Sequence, residues 1–168
     1  MRRPAAGDID RAGVRGYIRC VSDLAAIEDE KQKIVDEFAL FDSWLERYEY
    51  IIELGKNLPG IALEKHTAQY RVPGCQSQVW FDARRQDGRI AFEADSDAMI
   101  VRGLIALLLR VYSGRTPDAI LATSPQFLEK IELGSHLSGN RANGLVAMVK
   151  RIHEYARALS TTPAASQT

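Results

Sequence analysis

The run SQVWFDARRQDGRIAFE, residues 77–93, decides the fold class. Val79 and Phe81 alternate with Gln78 and Asp82, and Ile90 and Phe92 alternate with Glu93. An apolar–polar period of two is the signature of a half-buried strand. Between the two runs lies Asp87-Gly88, a pair suited to the positive φ angles of a tight hairpin turn. A strand over about 77–84 therefore turns back into a second. A shorter strand at 69–72 is expected to complete a small three-stranded antiparallel sheet.

On both sides the period changes to that of a helix. Ile27, Ile34, Val35 and Phe38 place a helix over 25–40. Ser43 with Glu46 has the form of a capping box, in which each side chain satisfies an orphan backbone N–H, and Leu45, Tyr48, Ile51, Ile52 and Leu54 follow as its apolar side. Gly55, Pro59 and Gly60 stop that helix. After the hairpin, Ser96 is the expected cap of a helix to Tyr112, with Asp97 at its positive end. Its apolar residues, Ile100 to Val111, wrap most of the circumference, as in a buried helix. Thr116-Pro117 and Ser124-Pro125 read as helix starts. A last helix is expected over 140–159, with Leu145, Val146, Val149 and Ile152 on one face. Helices, antiparallel sheet, then helices make the class α+β. Residues 1–21, rich in Arg, Ala and Gly, read as a loose arm, residues 22–160 as one domain, and residues 161–168 as a disordered tail.

Composition narrows the function. The chain has 168 residues and equal numbers of basic and acidic side chains, 22 of each. That balance disfavours bulk electrostatic binding of nucleic acid or an anionic membrane. The longest apolar block, Leu104 to Leu109, is far too short to span a bilayer. The arginines near the start suggest a transit peptide, but Asp8 and Asp10 weigh against one. Cys20 and Cys75 form neither a C-x-x-C pair nor a zinc-type cluster, which points to a reducing cytoplasm and to no bound metal or cofactor. Cys20, in the arm, reads as incidental. His66, His136 and His153 are scattered and read as structural or solvent-facing.

The segment that breaks every pattern is Arg71-Val72-Pro73-Gly74-Cys75-Gln76-Ser77-Gln78-Val79-Trp80. Pro73 fixes φ and Gly74 reaches conformations a Cβ would forbid, so the thiol of Cys75 stands on a sharp loop beside polar Gln76 and Ser77. Taken alone, the spacing fits either a small buried thiol or a reactive one.

This segment resembles the signature of the SufE family, which includes the CsdE proteins. Further landmarks follow in order: Arg47-Tyr48, Leu54-Gly55-Lys56, Leu58-Pro59, Ala94 to Ala98, Ile100 to Leu107, Ser113-Gly114, Thr116-Pro117, His136-Leu137-Ser138, Arg141, Asn143-Gly144-Leu145 and Met148. The similarity runs from about Ile27 to Ala158. One position departs: Gly139 stands where the family usually has proline, which leaves the first turn of the last helix looser.

The resemblance implies the α+β fold shared by SufE and IscU-type scaffolds. It also implies that Cys75 accepts persulfide sulfur from a cysteine desulfurase, a pyridoxal-phosphate enzyme of the SufS or CsdA kind. The chain would stimulate that enzyme and pass sulfur to an iron–sulfur scaffold, as an accessory transfer protein more than a free-standing enzyme. Pro73, Gly74, Gln76 and Ser77 form the implied active loop, with Arg141 and Asp97 as auxiliary candidates. Arg141 is equally a capping arginine, and Asp97 more readily a carboxylate at a helix start. Trp80, on the strand face opposite Val79 and Phe81, is expected to pack under a helix more readily than to form part of a partner surface. Three rival functions are weaker or not exclusive. A cluster-building scaffold needs several thiolate or imidazole ligands. A thiol redox enzyme commonly uses a second cysteine nearby. A docking adaptor that only activates the desulfurase is compatible with sulfur transfer.

Overall fold

The computed structural model describes residues 11–160. Helix α1 spans Arg11–Ala39 and α2 spans Trp44–Lys56. Strands β1, Val79–Gln86, and β2, Arg89–Ser96, follow. Then come α3, Met99–Tyr112; α4, Pro117–Ala122; α5, Phe127–Lys130; α6, Leu133–His136; and α7, Gly139–Ser160.

The hairpin is as read: β1 and β2 are antiparallel from Val79 opposite Ser96 to Gln86 opposite Arg89, and the turn holds Asp87 at φ 51° and Gly88 at φ 79°. One face, with Val79, Phe81, Ile90, Phe92 and Ala94, joins the core. The other face is polar and ion-paired: Lys65 reaches Asp82 at 2.6 Å, and Arg84 meets Glu93 at 2.5 Å. Trp80 lies on this second face, stacked on the His66 ring at 4.1 Å between centroids, at the end of the short 3-10 turn Leu63–Lys65.

The sheet has two strands, not three. Residues 69–72 contribute only a single bridge, Arg71 to Trp80, with Val72 N–H donating to Val79 O and Phe81 N–H to Tyr70 O. The turn at 67–70 before it and Pro73-Gly74 after it leave too little extended chain for a ladder.

Helix α3 is the central element. Ile100, Val101, Leu104, Ile105, Leu107, Leu108, Val111 and Tyr112 are all buried. It packs on α2, β2, α1 and α7. Against α2 it comes so close that a Cβ on Gly103 would stand 2.7 Å from the Ile51 carbonyl carbon. Arg102 secures the exit of α2, donating to the carbonyls of Gly55 and Leu58 and pairing with Asp95. Arg110 ties α3 to Glu30 and Glu37 of α1.

Several expectations at element ends change. The capping box at Ser43 and Glu46 is complete. Ser96 does not cap α3; it ends β2, its hydroxyl accepts from Ala98 N–H, and the helix begins at Met99. The carboxylate of Asp97 accepts from Gln78 N–H at 2.9 Å, which closes the open end of the hairpin. Pro117 opens α4 as expected, whereas α5 starts at Phe127, two residues beyond Pro125. Leu145, Val149 and Ile152 of α7 are buried, but Val146 points outward.

Residues 11–21 are helical, as the first three turns of α1, and not a loose arm. They are held from one side: Asp23, buried in the same helix, accepts from Arg89 of β2 and from Thr116 N–H, and Arg19 donates to Asp87 O. Cys20 is half-buried in α1. Residues 1–10 and the expected tail at 161–168 lie outside the described residues. No helix among the described residues is long and apolar enough to cross a membrane.

Candidate functional site

The loop from Val72 to Gln78 joins the Arg71 bridge to β1. Val72 is buried and anchors its start. Gly74 holds φ at 88°, a left-handed conformation that side chains with a Cβ adopt only at a cost. This turn lays Cys75 against the first turns of α7, where its Sγ–H donates to Gly144 O at 3.5 Å.

The thiol is half-buried. It lies in a cleft of about 100 Å³ lined on the apolar side by Val79, Val101, Leu104 and Met148, with Gln76, Ser77, Asn140 and Arg141 along the polar rim. Two shallower depressions meet at the same residue. One is formed with Gly74, Asn140 and Asn143, the other with Ala68, Arg71 and Pro73. Cys75 therefore sits where an apolar recess opens onto a polar surface.

Burial pushes the Cys75 thiol above its ordinary range, and the nearby Arg71 guanidinium opposes that only in part. At neutral pH the resting thiol is protonated and a poor nucleophile.

Of the sequence-derived candidates, Pro73, Gly74, Gln76 and Ser77 adjoin Cys75, and Arg141 joins them at the cleft. Arg141 donates to the Tyr48 hydroxyl at 2.6 Å with its guanidinium 5.9 Å from that ring centroid, so α2 holds the arginine in place. Asp97 is engaged with Gln78 at the base of the loop. The hydrogen bond of the thiol goes to Gly144 and not to Gln76 or Ser77. That acceptor is a backbone carbonyl on a helix distant in the chain, at a separation of 69, and leaves no mark in the side-chain pattern. Arg71 stood in the segment that breaks the pattern, and its effect on the thiol emerges only from the fold. No group of three or more His, Cys, Asp or Glu among the described residues is arranged to hold a metal ion.

An α+β domain presenting a half-shielded thiol on a loop that turns at Gly74 defines a class of protein, and the comparisons give that class its family. Residues 32–156 match the SufE family, described as the Fe-S metabolism associated domain. The chain belongs to the SufE family. It is 46% identical over 130 residues to an uncharacterized SufE-like protein of Rhizobium etli, a match covering 74% of this chain and 88% of that protein. With an uncharacterized SufE-like protein of Rhizobium meliloti it shares 44% identity over 125 residues, covering 71% and 89%. The fold is similar to the solution structure of a hypothetical protein from Thermus thermophilus. The TM-score is 0.66 at 21% identity, over 79% of this chain and 97% of that one. Membership associates the chain with iron–sulfur metabolism.

Proposed function

We propose that this protein is a sulfur acceptor and carrier, with Cys75 as the residue that takes persulfide sulfur from a cysteine desulfurase. The observation that carries the proposal is the placement of Cys75 in the recess beside Gly144, on the loop that turns at Gly74. The Cys75 thiolate attacks the outer sulfur of the partner's cysteine persulfide. A new S–S bond forms at Cys75, the partner's S–S bond breaks, and its inner sulfur leaves as a thiolate that takes up the proton Cys75 gave up. The product is Cys75-S-SH, and no net oxidation occurs. A downstream iron–sulfur scaffold then receives the outer sulfur by the same exchange. The role is that of an accessory transfer protein working in the cytoplasm, which removes product from the desulfurase and so stimulates it. It needs no cofactor or metal of its own.

The recess suits both halves of the task. Closed, it shields a persulfide from stray thiols. Open, it exposes the sulfur to an enzyme that must come within bonding distance. Docking favours the open loop only by as much as the partner prefers it. In this proposal Arg141, held by Tyr48 at the rim, assists transfer, and Asp97 fixes the base of the loop. Stimulation of a SufS- or CsdA-like desulfurase by wild-type and Cys75→Ser proteins tests the assignment. A carrier loses its stimulation with the thiol; undiminished stimulation by Cys75→Ser would identify a docking adaptor and refute the carrier role.

A further inference from the structure

The geometry points to a second interface, in which two copies of this chain pair through the first half of α1 in antiparallel orientation. The segment concerned, Arg11 to about Glu28, precedes the matched family domain, which begins at residue 32.

The face of α1 that meets the body is clear from its buried residues, Asp23, Ile27, Ile34 and Phe38. On the opposite side runs a second apolar line. Val14, Ile18 and Val21 are 41%, 60% and 48% exposed, Ala25 continues the line exposed, and Tyr17, 71% exposed, flanks it. Ile18 and Ile27 are separated by about two and a half helical turns, so they face opposite ways. The line steps by four, three and four residues, the spacing of a coiled-coil seam. Its next positions outward are charged: Arg11 before Val14, and Glu28 after Ala25.

These ends choose the occupant. In an antiparallel pair of α1 helices, Ile18 lies against Val21 of the second copy, Val14 against Ala25, and Arg11 against Glu28. Every layer is matched, and the two-fold axis repeats each one. A parallel pair would set Arg11 against Arg11 and Glu28 against Glu28, repulsive at both ends. The flanks agree, since Arg15 lies on the side that carries Asp29 of the second copy. Arg11, Arg15 and Asp29 make no ion pair among the described residues. Glu28 pairs with Lys31 at 2.7 Å, yet its own side chain stays 72% exposed and within reach of a second cation. The helix is presented firmly because Asp23 and Arg19 fasten it to the hairpin from behind. A seam this short makes a weak dimer, formed as concentration rises.

Sedimentation equilibrium of the full 168-residue chain across a concentration series tests this. The wild type should pass from monomer to dimer. Ile18→Asp, a change at an exposed position, should remain monomeric with unchanged helical circular dichroism. Arg11→Glu and Glu28→Arg should each weaken the dimer about tenfold, and the double variant should recover it, because the layer is rebuilt with its charges exchanged. A wild type that stays monomeric at every concentration overturns the proposal. So does a dimer indifferent to Ile18→Asp, or a double variant no stronger than the single ones.

Discussion

Replacing Gly103 with alanine should destabilise this protein although it puts the better helix former inside a helix. By propensity alone, glycine to alanine in a helix interior gains about 1 kcal/mol. At Gly103 the added carbon would sit 2.7 Å from the Ile51 carbonyl carbon and 2.5 Å from Ile51 Cγ2, with the Ile51 oxygen closer still. Carbon pairs rest at about 3.5–4.0 Å, so α2 and α3 must part by about 1 Å at their crossing. Overpacking of this kind costs about 1–3 kcal/mol and occasionally more, and here the obstacle is backbone that cannot rotate away. The top of that range applies, which leaves a net loss of about 2 kcal/mol after the propensity gain. For a domain of this size that lowers Tm by about 4–8 °C. Gly16, in exposed α1 with nothing within 4 Å of an added Cβ, is the control. Gly16→Ala should be neutral or stabilising by up to about 1 kcal/mol. Thermal and urea unfolding followed by circular dichroism measure both. A Tm for Gly103→Ala equal to or above wild type would refute the packing argument. Because Val101 and Leu104 of α3 line the Cys75 cleft, the same variant should also alkylate faster at Cys75.

Three other outcomes are expected. Asp23→Ala should cost about 2–3 kcal/mol, since it strands the buried Thr116 N–H and releases Arg89. Burial acts to raise the Asp23 carboxyl, but its bonds to Arg89 and Thr116 outweigh that and hold it below the ordinary 3.8; its stabilisation is thus complete above that pH and lost as pH falls through the lower folded value, which acid titration of the wild type and the variant compares. Cys75 in the free protein should alkylate more slowly at neutral pH than an exposed cysteine and faster when a desulfurase lacking its own catalytic cysteine is added; equal rates would show that the loop does not open on docking. Arg141→Ala should reduce sulfur transfer per folded molecule while lowering Tm little; the reverse pattern would assign Arg141 to structure alone.

The hairpin, the central apolar helix and the capping box at Ser43 were legible because each is a local pattern with one physical meaning. What was not legible is tertiary. The third strand failed because Pro73-Gly74 ends the extended run too soon, a matter of length that alternation does not report. Residues 11–21 lacked a core-facing apolar stripe and so looked loose. The helix there is tied to the body by a buried Asp23 reaching Arg89, 66 residues away, and by Arg19 donating to Asp87 O. Around Cys75 the loop chemistry was visible in Pro73, Gly74 and the thiol itself. The Gly144 carbonyl, the Met148 and Leu104 walls and the raised pKa were not, because they come from helices that only the fold brings to the loop.

Intact-mass spectrometry with peptide mapping, after incubation with a cysteine desulfurase and free cysteine without reductant, decides whether Cys75 is the sulfur acceptor. Added sulfur is expected, in whole sulfur atoms, on the peptide carrying Cys75, and none after Cys75→Ser. Sulfur on Cys20 with Cys75 unmodified would contradict that role.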